Sequence, residues 1–416
     1  MKNAGLFVIL FFRKENFSKS TCFLLAGLFN FFQGRFYNAF GDFLFPSFSN
    51  SMLYYISKGG IFMKKNNYDV LADLLKGIGI ISVVMGHSGL LFPANFSSSI
   101  TAFLYLYHLM IFFFVAGMLY RPEKYPDPYL YIGRQLKSAA PLFIGYNLSF
   151  LLFHNIFSRF HLVDLVPIDK NDFIISAVSV LAFKHTELLT GALWFVPMFL
   201  FSKALFAVGF QSAEHCPGKR LAHIAFLALT GWVGLYTSSH GMNLHFNLQT
   251  SLLGIPVIYL GYLFQKNRSK WIRFANPLSC IISAILLGIF VHEKIGFIDL
   301  SKNEIISIYW FYPVTVLGMF FCVSLAESIR QSRLLTAVIA HIGSVSFHIM
   351  ALHFFIFKCF DLVIGKLLHV DLQTRMSFPT AFDQIGWFYS MIGIGIPVFC
   401  IYLIHLFKKF LQKSNI

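Results

Sequence analysis

Asp73, Lys76 and His87 place an acid, a base and an imidazole in one run, Asp73-Leu-Leu-Lys76-Gly-Ile-Gly-Ile-Ile-Ser-Val-Val-Met-Gly-His87-Ser, that is otherwise apolar. Read as a helix, the eleven steps from Lys76 to His87 turn through roughly 1100°, leaving the side chains about 20° apart around the axis and about 16 Å apart along it. Asp73, three residues before Lys76, shares that face and is placed to pair with it. Ionisable groups at membrane depth are costly unless paired or facing a cavity, so they mark a functional site by default. A neutral imidazole, with an ordinary pKa of about 6.5, can take a proton from a hydroxyl near neutral pH or attack a carbonyl carbon itself. Standing alone, a histidine in a helix bundle is more often a hydrogen-bonded structural group than a catalyst. The spacing to Lys76 argues for chemistry.

The elements that must hold these groups are membrane spans. Of the 416 residues, 57% are hydrophobic and 12% charged, and the mean hydropathy is +0.67. A soluble chain of this length would lack the polar surface to cover such a core. The apolar residues come in blocks of roughly 17–25, the length that crosses a bilayer as a helix. About ten such blocks follow Met63, near 76–92, 100–119, 138–157, 190–210, 221–237, 248–264, 274–291, 305–326, 334–358 and 386–407. The expected fold is therefore an all-α, polytopic integral membrane helix bundle. The shorter run 173–183 reads as an interfacial or re-entrant helix.

The connecting loops alternate in charge. One set carries Lys64/Lys65, Arg121/Lys124/Arg134/Lys137, Lys219/Arg220, Lys266/Arg268/Lys270/Arg273, Arg330/Arg333 and Lys408/Lys409/Lys413. The other (93–99, 158–189, 238–247, 292–304 and 359–385) is poor in basic residues or rich in acidic ones. Positive-inside bias puts the first set, and both ends of the ten-span core, in the cytoplasm. Lys76 then lies near the cytoplasmic surface and His87 toward the outer leaflet. His108 falls near the middle of the second span, and His353 at a depth similar to His87. The net charge of +15 belongs to these short loops and forms no basic stripe, which argues against nucleic acid as a partner.

Six cysteines form no C-x-x-C pair, and several lie in apolar blocks, so they read as small hydrophobic residues. Metal binding is not expected. His341, His348 and His353 are spaced at seven and five, not the i, i+4 that puts two ligands on one face, and no H-E-x-x-H, phosphate loop or nucleophile elbow occurs. Residues 1–62 are crowded with phenylalanine, but their apolar runs are too short to span and are broken by charge. The expectation is a functional chain beginning at Met63, preceded by an overextended reading frame. An interfacial amphipathic leader is the rival.

Several separated blocks carry a resemblance. Lys76-x10-His87 resembles the Arg/Lys-x10-His signature on the first span of acyltransferase family 3, the multi-span bacterial acyltransferases that include sugar O-acetylases. Tyr107-His108 through Gly117 resembles the family's second block. Arg134-Gln-Leu-Lys137-Ser-Ala-Ala-Pro141 resembles its basic lead into the third span. Leu193-Trp194-Phe195-Val-Pro197 resembles its Leu-Trp-Phe block, and Gly343-Ser-Val-Ser346 through His353 its late Gly-x-x-Ser…His block. Met110 stands where proline is common, and Ala116 where serine is usual.

The resemblance covers 66–407 and implies a membrane acyltransferase domain over 63–416, in the bacterial inner membrane. It implies transfer of an acyl group, usually acetyl, from cytoplasmic acyl-CoA to a hydroxyl of a cell-surface glycan or its lipid-linked precursor, with no bound cofactor. His87 is then the general base or a transient acyl carrier. Lys76 either attracts the CoA phosphates or snorkels at a span end, and Asp73 orients it. Arg134 and Lys137 are CoA-phosphate contacts or ordinary positive-inside charge. His108 and His353 bind acceptor or hold the pocket, and Trp194 lines it. The competing class is a transporter or flippase of a lipid-linked sugar or small solute. It predicts repeated halves, which are not visible here. A glycan polymerase or ligase would be expected to carry a larger external loop than 158–189.

Overall fold

The computed structural model describes residues 69–414, apart from 90–93, 243, 296–297 and 306. Residues 1–62, expected to be an extension, lie outside the described residues. In chain order the helices are α1 (Val70–His87), α2 (Ala94–Tyr105), α3 (Met110–Leu119), α4 (Pro128–Leu152), α5 (His154–Arg159), α6 (Lys170–Leu181), α7 (Phe195–Glu214), α8 (Lys219–Ser239), α9 (Leu248–Lys266), α10 (Arg268–Trp271), α11 (Pro277–His292), α12 (Phe311–Ile329), α13 (Arg333–Ser344), α14 (Ser346–Leu367), α15 (Leu372–Met376) and α16 (Gly386–Ser414). A 3-10 segment, Leu188–Trp194, leads into α7. The strands among the described residues are the two-residue pair Ile298–Asp299 and Glu304–Ile305, antiparallel with Ile298 opposite Ile305. The fold is an all-α membrane bundle, as composition and block length required.

Among the described residues seven helices are long and apolar enough to cross a membrane, or eight if the bent pair 268–274 and 277–292 is one span. That is fewer than the ten expected. α4 and α9, at 25 and 19 residues, are long enough, but Arg134, Gln135, Lys137 and Asn147 dilute one, and Gln249, Thr250 and Ser251 the other. The block 334–358 is two helices, α13 of 12 residues and α14 of 22, broken at Val345. The block 100–119 is interrupted by a turn at 106–109, which carries His108. The run 173–183 falls largely within α6, whose 12 residues are too short to span.

The first helix begins six residues earlier than its apolar block suggested. Asp69 caps it, accepting a hydrogen bond from the Leu71 N–H at 3.1 Å, and also pairs with Arg268 at 2.7 Å. Lys76 therefore sits in the second turn of α1. The helix stops at His87 because Gly89 takes the left-handed conformation, φ +61°, a common way to end a helix.

Two helix pairs set the core. In α1 and α13, a Cβ on Gly77 would strike the Ile339 carbonyl, and one on Gly343 would strike the Asp73 carbonyl. The same reciprocal fit joins α3 and α9, with Gly117 against Ile258 and Gly261 against Phe114. Small residues let helix backbones meet where lipid offers no hydrophobic drive for association. Around these contacts Leu71, Leu74, Leu75, Ile111, Phe113 and Val314 are wholly buried.

Candidate active site

His87 is the last residue of α1, and His353 is the eighth of α14. Their rings lie 3.1 Å apart, Nδ1 of His87 to Nε2 of His353. The ring planes are within 8° of parallel and the centroids 5.4 Å apart, as suits an edge-to-edge N–H···N bond. The wholly buried His353 also places Nδ1 3.0 Å from the Ile349 carbonyl.

These contacts assign the protons. A carbonyl only accepts, so His353 Nδ1 carries the hydrogen, and its Nε2, neutral, offers a lone pair. His87 Nδ1 must then donate to that lone pair. His87 Nε2 is left unprotonated, and it forms no hydrogen bond with a described residue. The Phe354 ring, 4.9 Å from His87 and 4.3 Å from His353, walls one side. Ser390 on α16 donates to Ser88 at 2.8 Å, tying the end of α1 in place.

At the other end of the same face, Lys76 is paired with Asp73, as the i, i+3 spacing predicted. His108 is 4% exposed, with Nδ1 3.2 Å from the Leu104 carbonyl. Its ring is tilted against that of Tyr105, with centroids 4.5 Å apart, and Tyr105 in turn lies against Gly86. His108 thus adjoins the end of α1 without a direct bond to His87.

Arg134 and Lys137 lie exposed on α4 with no carboxylate partner among the described residues; Arg134 sits 5.7 Å over the Tyr125 ring. Trp194 lines a cavity of about 330 Å³ with Lys184, His185 and Asn247. A second, apolar cavity of about 250 Å³ shares Phe183, Pro197 and Phe246 with it. Neither wall includes His87 or His353. The structure therefore joins His87 to His353 and Lys76 to Asp73, with His108 adjacent, and sets Arg134, Lys137 and Trp194 apart.

Three buried polar groups escaped the sequence reading. Lys358 and Asp361 on α14 pair at 2.7 Å with no exposure. Their i, i+3 spacing stands in the sequence, but the apolar block ends at 358 and leaves Asp361 outside it. Lys203 on α7 bonds Gln135 at 2.7 Å and lies 4.4 Å over Phe199. Glu187 receives His154 at 2.9 Å and His185 at 3.1 Å; His185 is its near neighbour in sequence, and the fold brings in His154 from 33 residues away. Burial pushes the Glu187 carboxyl up, but the bonds from His185 and His154 outweigh it and hold the group below its ordinary value. Among the described residues no three His, Cys, Asp or Glu side chains converge as a metal cage.

Fold and site together define a multi-span helical membrane protein in which two histidines from different helices are hydrogen-bonded to each other. Residues 69–407 match the family described as an acyltransferase domain, and the chain belongs to that family, acyltransferase family 3. No curated protein and no solved structure shows significant similarity to it.

Proposed function

We propose that the protein moves an acyl group, acetyl in the first instance, from acyl-CoA to a hydroxyl of a cell-surface glycan or its lipid-linked precursor. The observation that carries this reading is the chain from the Ile349 carbonyl through His353 to His87, which leaves His87 Nε2 as a base of defined tautomer. As the acceptor oxygen bonds to the thioester carbonyl carbon, its proton passes to Nε2. When the C–S bond breaks, that proton goes to the thiolate, giving free CoA and the ester. His353 is a positioning residue, since it acts through His87.

Lys76, in the second turn of α1, with the exposed Arg134 and Lys137 on α4, suits the phosphates of CoA. On this reading donor and acceptor approach His87 from opposite sides, with the Lys76 end cytoplasmic. An acyl-histidine route would use the same Nε2 lone pair.

The test is transfer of label from isotopic acetyl-CoA into glycan, in membranes with matched protein levels. His87→Ala is expected to lose about 10²–10⁴-fold in rate, the usual range for a general base. His353→Leu should lower kcat with the donor KM held, and His353→Gln, whose side-chain carbonyl can still accept from His87 Nδ1, should recover part of it. Full activity in His87→Ala would end the assignment, and no label in glycan would favour transport. Protein-bound label without acceptor would select the acyl-histidine route.

A further inference from the structure

The connection between α14 and α16 does not stay at the end of the bundle. Lys358 lies nine residues before the last residue of α14, about 13 Å back along the axis. Its ammonium nevertheless donates to the carbonyls of Arg375 and Ser377, at 2.7 and 2.6 Å, and to Asp361 at 2.7 Å. Phe378 reaches further, its ring 4.8 Å from that of Phe354, thirteen residues or about 20 Å back from the same end. The segment 371–378 therefore turns back into the bundle along α14. Arg375 lies against Gly365, where the lack of a Cβ makes room. Asp361 is held in turn by the Tyr389 hydroxyl.

Irregular backbone at membrane depth is tolerated only where protein buries it or where it lines a cavity. Here a wholly buried ion pair satisfies it. A buried pair is a poor route to stability compared with apolar packing, so its use here fits a demand for position. What it positions is Phe378, whose flanking Ser377 carbonyl it grips. Phe378 is 39% exposed, although Phe354, the ring it meets, touches both histidines.

We propose that Phe378 is the acceptor platform of the site. In this role the re-entrant segment 371–378, pinned by Lys358, sets an exposed aromatic face against Phe354, the ring that touches His87, for the apolar C–H face of a hexopyranose ring. The inference rests on the acyl-transfer reading and names what the acceptor side recognises. A rigid aromatic surface offers contact area at little entropic cost, and a sugar ring lying on it turns its hydroxyls to its rim, where His87 Nε2 can take a proton. An acyl tail would need no such face on the side opposite Lys76.

The test uses the full chain in lipid nanodiscs with isotopic acetyl-CoA and two classes of acceptor, a panel of methyl hexopyranosides and glycerol. Glycerol offers hydroxyls but no ring. Phe378→Ala should raise the pyranoside KM about ten-fold, as expected for loss of one good aromatic contact, with kcat and glycerol transfer held. Phe378→Trp should restore pyranoside use. Lys358→Met, if it folds, should reproduce the loss, and Lys358→Met with Asp361→Leu should keep the loss while removing the unpaired acid. An equal fall on glycerol, or no fall on any pyranoside, overturns the platform and leaves acyl transfer standing. No transfer from wild type to either class overturns the acyl-transfer reading and the platform with it.

Discussion

At the scale of single residues, the tautomer of His87 is decided by a carbonyl two links away. The same logic applies at Glu187, whose two oxygens accept from two histidines. Both ring nitrogens of His154 face oxygens, Glu187 Oε2 at 2.9 Å and the Val166 carbonyl at 3.0 Å. A carboxyl held below its ordinary 4.5 in the folded state contributes stability that is present above that value. It is lost as pH falls through the lower, folded value. Glu187→Gln should therefore melt lower than wild type near pH 7 and lose less on going to about pH 3. Thermal melts at the two pH values check this, and parallel acid limbs would count against it.

At the scale of elements, the position of His87 depends on how closely α1 meets α13. Gly77 and Gly343 allow backbone contact there, and α14, which carries His353, follows α13 after one residue. Gly343→Leu would force the pair apart, at a cost of about 1–3 kcal/mol for overpacking. Because the His87–His353 bond is 3.1 Å, a shift of under an ångström suffices to weaken it. Transfer activity should fall together with melting temperature, and His353→Leu should add little further loss in the Gly343→Leu background. Activity kept at wild-type level would show that the site does not depend on this seam. The meeting of Gly77 and Gly343 with each other's helices was not legible beforehand, since a glycine carries no mark of the carbonyl it will face. Nor was the break at Val345, because an apolar run carries no mark of where a helix will restart.

At the scale of the whole molecule, the proposed reaction, with its donor on one side and its acceptor on the other, requires a fixed orientation. Cys216, exposed just before α8, and Ser239, exposed at its end, should lie on opposite sides of the membrane. In a chain with the other cysteines replaced, an impermeant maleimide added to intact cells should leave Cys216 unlabelled. It should label Ser239→Cys in a background lacking Cys216. The reverse pattern would invert the orientation and move the donor end away from the cytoplasm. A cysteine on each side also tests whether α8 spans at all.

The membrane class, the helical architecture and the pairing of Asp73 with Lys76 were determined by sequence alone. They follow from local facts: block length, hydropathy and i, i+3 spacing act within one helix. Five separated blocks in order, Lys76-x10-His87 among them, likewise carried the resemblance to the family. Tertiary structure alone decided that His353, 266 residues away, bonds His87, and that 371–378 folds back to set Phe378 against Phe354. Contacts between distant helices depend on which glycines meet which carbonyls and where irregular backbone finds its hydrogen bonds. No periodicity along a single chain encodes those distances.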